Sequence, residues 1–260
     1  MQIYERIASS LIGTPVQGLA EGVRRALGLP DRLRHPELRE IHLEEGRAKE
    51  IVARTVTPGM NCVDIGCHLG SVLDRFVRMS PDGQHIAVEP IPHKAAWLRR
   101  KYPGVEVHQN ALGDEEGVLE FYHDPRHSGF SGLKPHGSGE KKTIEVLCRR
   151  LDDIVPAGRP IGFIKLDVEG AEFSVFRGAR RVLAESRPVV LFECTRSGLS
   201  MFGLEPHHVF DLLTGELGYC VYLLKDWLSG GDPADLAGFA GSMSYPFTAF
   251  NYVAAPRPRQ

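Results

Sequence analysis

The chain has 260 residues, enough to bury the core of one large domain, and its formal net charge of −2 provides no field favouring nucleic acid or anionic lipid. Its five cysteines are scattered, odd in number and without a C-x-x-C pair, so we expect reduced thiols. No apolar run is long enough to span a bilayer, and the first residues lack the pattern of a secretion signal. We therefore expect a cytoplasmic protein that binds neither nucleic acid nor membrane.

Two helices are predicted before the first strand. A weak amphipathic pattern predicts one that ends at Pro30, and apolar positions from Pro36 to Val56 predict the second. Thr57-Pro58-Gly59 stops the second helix. These helices could cap a site, contact a second copy or pack on the sheet, and packing is the simplest expectation.

A strand, a glycine turn and a helix start come next, and the turn has the spacing D-x-G-x-x-x-G, formed by Asp64, Gly66 and Gly70. A dinucleotide site would need G-x-G-x-x-G, whose middle glycine lets the backbone approach a pyrophosphate. Here Cys67-His68 fills that position. A nucleoside ligand without phosphate fits better, and S-adenosylmethionine is such a ligand, with an ammonium group that suits Asp64. The alternative is a strand-to-helix turn that binds nothing.

The next two strands end in polar residues. Glu89 closes the second strand about twenty residues beyond the glycine turn, where a carboxylate can accept hydrogen bonds from ribose hydroxyls. Its alternative is a solvated carboxylate at a strand end. Asn110 and Ala111 follow the third strand and could border an adenine ring, which needs an apolar slot with one or two polar contacts.

A hairpin with a long polar loop then interrupts the strand–helix alternation. Residues 118–122 and 142–148 are strand-like, and the stretch between them is rich in Gly, Ser, His and basic residues. Loops of this length are usually functional or disordered. We interpret Phe130-Ser131-Gly132 as an acceptor-side lid, with disorder as the alternative.

The second dense stretch is a buried strand followed by a helix, and it carries one lysine and three acids. Lys165 and Asp167 are two residues apart, so they point to one face of the strand. Glu169 and Glu172 are three apart and can share a helix face. Apolar flanks favour a functional cluster over a solvated charge run, because burial and like charge would shift the pKa values of these groups.

Six blocks in order along the chain are recognisable: D-I-G-C-H-L-G, V-E-P, N-A-L-G-D, L-D-D-I, F-I-K-L-D-V-E-G-A-E and V-L-F-E. They resemble the FkbM family of S-adenosylmethionine-dependent methyltransferases, from about Asn61 to Glu193, and K-x-D-V-E-G-x-E is the most specific block. The resemblance implies an α/β, Rossmann-like class I methyltransferase fold with a mostly parallel seven-stranded sheet and helices on both faces. It also implies methyl transfer to a hydroxyl of a sugar or natural-product small molecule.

Carried over by position, the resemblance implies that Asp64, Gly66 and Gly70 line the methionine end of the cofactor. It implies that Glu89 holds the ribose and that Asn110 and Ala111 border the adenine. It further implies that Asp167 faces the methyl group and the acceptor. This chain has Cys67-His68 where the family often has Ala-Asn, so the usual amide contact is missing there. The expected cofactor-binding residues are Asp64, Gly66, His68, Gly70, Glu89, Asn110, Ala111 and Asp167.

In this chemistry the leaving group needs no acid, so alignment of the reacting atoms dominates, and a hydroxyl acceptor benefits from a base. Asp167 is the first candidate base and His127, in the hairpin loop, is the second. Asp167, Glu169 and Glu193 would also suit magnesium, but sequence does not show that they converge, and we predict no metal.

Two other functions stay open from the residues. A nicotinamide oxidoreductase would also use Glu89 on a ribose, although the missing middle glycine argues against it. A non-catalytic binding protein on the same fold is the other, although the intact acidic set argues against it. Either an oligomer or a monomer is compatible with the sequence.

The predicted domain organisation has three parts. Residues 1–57 form an N-terminal helical extension, residues 58–255 form the methyltransferase domain, and residues 256–260 form a tail. Residues 118–148 are the β-hairpin insertion within the domain.

Overall fold

A computed structural model describes residues 11–14, 16, 22, 33–123, 131–135 and 141–258. The helix predicted before Pro30 lies almost entirely outside these residues, and so does His127. Both therefore stay predictions.

The described residues form ten strands. They are β1 (Cys62–Ile65), β2 (Ile86–Val88), β3 (Glu106–His108), β4 (Ala111–Leu112), β5 (Gly117–His123), β6 (Lys142–Arg149), β7 (Phe163–Leu166), β8 (Val189–Glu193), β9 (Tyr219–Leu223) and β10 (Asn251–Pro256). Seven of them form one sheet in the order β3-β2-β1-β7-β8-β10-β9. Strand β10 runs antiparallel to both neighbours, and the other pairs are parallel. This confirms the expected Rossmann-like, mostly parallel sheet.

The helices cover both faces of this sheet. A 3₁₀ turn (Pro36–Leu38) leads into α1 (Arg39–Thr55), and a π-helix (Leu212–Glu216) follows α8. The others are α2 (Ser71–Met79), α3 (Pro92–Lys101), α4 (Leu151–Ile154), α5 (Glu172–Arg177), α6 (Arg180–Ser186), α7 (Arg196–Ser200), α8 (Pro206–Asp211), α9 (Leu224–Ser229) and α10 (Leu236–Ser242). Two large apolar clusters lie against the sheet, as expected for helices that bury alternate strand residues.

Strand order puts the reversal point of the sheet between β1 and β7. From β1 the chain proceeds outward through β2 and β3, and from β7 it proceeds the other way to β8. The pairing aligns Ile65 with both Val88 and Leu166, and Leu166 with Phe192. The four residues that follow these strand ends therefore meet at one edge, where open α/β sheets bind ligands.

The hairpin insertion is present, and it belongs to a second, three-stranded sheet. Strands β5 and β6 are antiparallel, and β4 pairs with β6 in parallel. The sequence predicts the hairpin but not β4. A strand of two residues is too short to show the alternation of apolar and polar residues by which strands are recognised. The small sheet consequently starts at Ala111, one residue after Asn110.

Two local expectations around α5 are wrong. Glu169 does not share a helix face with Glu172, because α5 begins at Glu172 and Glu169 lies in the preceding turn with φ +56°. The apolar spacing after Glu172 also suggested one helix, but the structure has two, separated at Gly178. Gly178 packs directly against the backbone of Gly113, where a Cβ would collide with the carbonyl oxygen.

The helix α1 packs against one face of the sheet, as expected. Ile51 and Val52 lie in the same apolar cluster as Val253 of β10. The buried carboxylate of Glu44 accepts hydrogen bonds from the backbone N–H groups of Phe250 and Asn251 at 3.0 Å each. Within the described ranges, no helix combines the length and apolarity needed to cross a bilayer.

Candidate functional site

A cavity of about 440 Å³ opens where the ends of β1, β2, β7 and β8 meet, and the loop after β3 and the hairpin complete its wall. Seven of the predicted site residues line it: Asp64, Gly66, His68, Glu89, Asn110, Ala111 and Asp167. Gly70 does not line it, and His127 lies outside the described residues. These seven residues therefore converge on one site.

The glycine turn is held against two strands. The N–H groups of Gly66 and Cys67 donate to the Val88 carbonyl at 3.0 and 3.3 Å. Gly66 has φ +71°, and a Cβ there would collide with the carbonyl oxygen of Asp167. A side chain at this position would thus push β1 and β7 apart where the cavity begins.

Gly70 lies between two helices and not in the cavity, where a residue that contacts the ligand would be expected. It precedes the first residue of α2, and a Cβ there would lie 2.8 Å from Leu98 Cδ2 and 3.0 Å from Tyr102 Cε2. Its missing side chain lets α2 pack closely on α3. Gly70 therefore shapes the turn from behind and does not face the cavity.

Glu89 fixes the turn through its carboxylate. Oε2 accepts a hydrogen bond from the His68 N–H at 2.8 Å, and Oε1 accepts one from the Ile91 N–H at 3.0 Å. Burial raises the pKa of Glu89, while the Lys94 ammonium and these N–H groups oppose the rise. Each oxygen has a further lone pair, so the carboxylate can still accept hydrogen bonds from a ligand.

Asp64 is buried at the base of the cavity, with a 1% exposed side chain. Neither carboxylate oxygen accepts a hydrogen bond of normal geometry in the part of the chain that the structure describes, although the backbone of Leu73 in α2 is close enough to lower its pKa. Burial raises the pKa of Asp64 to about 6; Asp167 adds to the rise and Lys165 opposes it. Buried carboxylates normally have partners, so this one is suited to a cationic group of a ligand.

The far end of the cavity is apolar. Ile91, Ala111 and Phe121 belong to one buried cluster and line the wall there. Asn110 stands beside them, and its side-chain Nδ2 donates to the Leu147 carbonyl of β6 at 3.2 Å. An apolar wall with one anchored amide is the arrangement that a flat heterocycle needs.

The other end is lined by acids around one lysine. Lys165 Nζ donates to Asp167 Oδ2 at 3.0 Å and to the Gly66 carbonyl at 3.3 Å. Glu169 and Glu193 line the cavity beside this pair. Lys165 and Asp167 thus share a face as their spacing predicted.

Crowding raises the pKa values of the surrounding carboxyls. Burial, with Asp167 and Glu172 adding to it, raises the pKa of Glu169 to about 8. Burial and three acidic neighbours raise the pKa of Glu193 to about 9, with Lys165 opposing. Burial raises the pKa of Glu172 to about 7, although the N–H groups of Gly170 and Val168 oppose it. Part of this cluster is therefore protonated near neutral pH.

A metal gains no support from this geometry. Across the residues that the structure describes, no three histidine, cysteine, aspartate or glutamate side chains are placed to hold an ion. Asp167, Glu169 and Glu193 are the magnesium ligands considered from the sequence. All three line the cavity, but they do not form such a group.

Sequence reasoning missed three residues that line the cavity: Lys94, Phe121 and Leu133. Lys94 is 1% exposed in α3 and lies on the cavity wall, although its position in a first helical turn suggests a surface residue. Phe121 and Leu133 reach the cavity from the hairpin. The alternation of residues along β5 could have shown that Phe121 faces inward, but no local pattern shows which residues it packs against.

Known proteins with similar sequences are methyltransferases. The family model described as "Methyltransferase FkbM domain" matches residues 64–221. The 2-O-methyltransferase NoeI of Sinorhizobium fredii is 31% identical over 54% of this chain and 65% of that protein. Methyltransferase 1 of Beauveria bassiana is 28% identical over 45% of this chain and 57% of that protein. The matched region thus spans less than two thirds of either relative.

Among solved structures, the comparison finds methyltransferase FkbM from Methylobacillus flagellatus, at 15% identity and a TM-score of 0.46, covering 87% of this chain and 60% of that one. The family match covers more than half of the sequence and includes the glycine turn, Glu89, Asn110 and the Lys165–Asp167 pair. The chain therefore belongs to the FkbM methyltransferase family.

Proposed function

We propose that this protein is an S-adenosylmethionine-dependent O-methyltransferase that acts on a hydroxyl of a sugar or natural-product small molecule. The observation that carries the proposal is the convergence of Asp64, Glu89 and Asp167 on one cavity beside a turn that tolerates only glycine at Gly66. NoeI, whose name gives 2-O-methyl transfer, supports an oxygen acceptor.

The residues present fit the cofactor. The unpartnered carboxylate of Asp64 suits the methionine ammonium, and Glu89 has lone pairs left for ribose hydroxyls. Asn110, Ala111 and the apolar wall suit adenine. His68 contributes its backbone N–H to Glu89, so we assign it to holding the turn rather than to base catalysis.

Asp167 is the proposed base. When bound, S-adenosylmethionine would supply an electrophilic methyl group for the acceptor oxygen, with the neutral thioether of S-adenosylhomocysteine as the leaving group. The Asp167 carboxylate accepts the proton that the acceptor hydroxyl loses. The Lys165 ammonium holds that carboxylate in place and keeps the turn at Gly66 next to it. Positioning of this kind is the main source of rate in an in-line displacement.

The test is calorimetric titration of the purified protein with S-adenosylhomocysteine and, separately, with NADH. We expect a dissociation constant of about micromolar order for the first and no binding of the second, a difference of several kcal/mol. An acceptor screen then compares sugars and polyhydroxylated metabolites with amines of similar size, with transferred radiolabelled methyl as the readout. Binding of NADH alone, or methyl transfer confined to nitrogen acceptors, would contradict the proposal.

The proposed partner is a small molecule with a hydroxyl group. The absence of nucleic-acid and membrane binding, the cytoplasmic location, the oligomeric state and the domain boundaries stay predictions. So does the role of His127 as a second base.

A further inference from the structure

The β5–β6 hairpin has one face turned to the cavity and one to solvent. On the inner face, Phe121, Val146 and Cys148 are buried in one apolar cluster. On the outer face, Val118 is 64% exposed and Leu147, its cross-strand partner, is 49% exposed. The hairpin therefore contributes packing on one side only, and that side points at the proposed site.

The segment that follows the first hairpin strand returns to the same cluster. Leu133 packs against it and lines the cavity together with Phe121. Two backbone hydrogen bonds fix this return: the Tyr122 N–H donates to the Gly132 carbonyl at 2.9 Å, and the Gly132 N–H donates to the Tyr122 carbonyl at 3.1 Å. These hydrogen bonds of Gly132, the preceding residue, thus fix the position of Leu133.

The cluster that receives Phe121 and Leu133 is the one at the apolar end of the cavity. Its remaining cavity-lining members are Ile91, after β2, and Ala111, in β4. Asn110 is tied to the hairpin as well, through its hydrogen bond to the Leu147 carbonyl. The residues assigned to adenine and the hairpin are therefore one packed unit.

We infer that Phe121 and Leu133 form a wall of the adenine slot, so that the hairpin determines how tightly the nucleoside of the cofactor binds. The sequence had suggested that this insertion covers the acceptor. The inference rests on the proposed function, because it requires a nucleoside ligand. Its physical basis is that a heterocycle gains most from apolar contact on its faces, and the hairpin supplies two of the four residues of this cluster that line the cavity.

The experiment measures binding of S-adenosylhomocysteine and of 5′-methylthioadenosine, which carries the nucleoside without the amino-acid group. We expect Leu133→Ala and Phe121→Leu to weaken both ligands by about tenfold, with equal loss for the two. Val118→Ala, on the outer face of the same strand, should leave both affinities within about twofold. Leu133 is only partly buried, so its variant should fold, and melting temperature checks this for all three.

The outcomes separate the inference from the proposed function. If the wild type binds S-adenosylhomocysteine and Leu133→Ala binds it equally well while its acceptor KM rises, the hairpin is an acceptor lid and the inference is wrong. Loss of S-adenosylhomocysteine affinity with methylthioadenosine unaffected would also overturn it, since the wall would then contact the amino-acid end. A wild type that binds neither ligand would instead contradict the proposed function.

Discussion

Lys165 and Asp167 form a partly buried ion pair, with Nζ and Oδ2 separated by 3.0 Å, and the same ammonium donates to the Gly66 carbonyl at 3.3 Å. In the β1–β7 pairing Lys165 also stands opposite Asp64. Burial disfavours the charge of Lys165, but Asp167 and Asp64 outweigh it and raise the pKa of the lysine. One stable cation therefore links the proposed base, the glycine turn and the acid at the base of the cavity.

Replacing Lys165 by methionine keeps the aliphatic stem and removes this link. We expect kcat to fall by about 10- to 100-fold, because an unanchored Asp167 is no longer aligned with the acceptor. Lys165 lowers the pKa values of Asp64, Glu169 and Glu193, so its loss should move the acidic limb of the kcat/KM profile to higher pH. Rate–pH profiles with an acceptor from the screen measure both effects.

Lys165→Arg should recover part of the rate, since it restores the cation with altered geometry. Lys225→Met is the matched control, because Lys225 is exposed on α9 and should leave the profile unchanged. A Lys165→Met enzyme with the wild-type rate and profile would show that the ion pair does not position Asp167.

Asp167→Asn preserves the shape of the side chain and removes the base. We expect turnover to fall by about 10²- to 10⁴-fold, the range that general-base catalysis contributes. Affinity for S-adenosylhomocysteine should change by no more than a few fold, because Asp64 and Glu89 supply the charged cofactor contacts. Single-turnover methyl transfer and calorimetry on the same preparation separate the two effects.

Asp82→Asn, in an exposed turn after α2, is the control for the substitution itself. Full turnover by Asp167→Asn would show that another group is the base, and His127 would be the first to be tested. Equal loss of rate and cofactor affinity would place Asp167 in binding instead.

The sequence identified the strand-end groups of this site because their positions follow from local patterns. A strand that ends in an acid places that acid at the sheet edge, and the two-residue spacing of Lys165 and Asp167 puts them on one face. Parallel pairing then brings the ends together, as the registers of β1, β2, β7 and β8 show. Each step uses only residues adjacent in the chain plus one rule of sheet topology.

The hairpin wall and Lys94 could not be predicted in the same way. Leu133 packs against the cluster that contains Ala111, across a gap in sequence that no local period spans, and a polar, glycine-rich loop gives no sign of a leucine that packs inward. Lys94 lies buried in the cavity wall because of how α3 packs against the sheet, and no local sequence pattern specifies that packing. The left-handed φ of Glu169 likewise follows from a turn that its neighbours impose.

The acidic cluster should make stability depend on pH. The pKa of Glu193 rises from about 4.5 to about 9 on folding, chiefly through burial and then through Asp167 and Glu169. A carboxyl with a raised folded pKa binds its proton more tightly when folded, so its contribution is complete below the unfolded value and is lost as pH rises toward 9. The melting temperature of the free protein should therefore fall between pH 5 and pH 9, with Glu169, Glu172 and Asp64 contributing.

Glu193→Gln removes one such group and should flatten this decline, leaving the variant about 2–4 °C more stable than the wild type at pH 9. Glu115→Gln, at an exposed turn, should follow the wild-type curve. Scanning fluorimetry across the pH range measures all three proteins. A decline in Glu193→Gln as steep as in the wild type would contradict the burial of this carboxyl.

Two glycines with the same φ allow the cost of a left-handed backbone to be distinguished from the cost of a steric clash. Gly66 and Gly218 both have φ +71°, but a Cβ at Gly66 would collide with the Asp167 carbonyl oxygen, while one at Gly218 meets no heavy atom within 4 Å. Gly218→Ala should cost about 1–2 kcal/mol, the penalty of the left-handed conformation alone. Gly66→Ala should cost several kcal/mol more, because β1 and β7 must separate at the cavity.

Urea unfolding of both variants gives the two free energies of unfolding directly. Binding of S-adenosylhomocysteine should be retained by Gly218→Ala and abolished in Gly66→Ala, since the turn that places Glu89 and Asp64 around the ligand would be displaced. Equal unfolding free energies for the two variants would mean that the turn at Gly66 can change its backbone conformation to fit a Cβ without displacing β7. The close approach of Gly66 to Asp167 would then not be what holds the two halves of the site together.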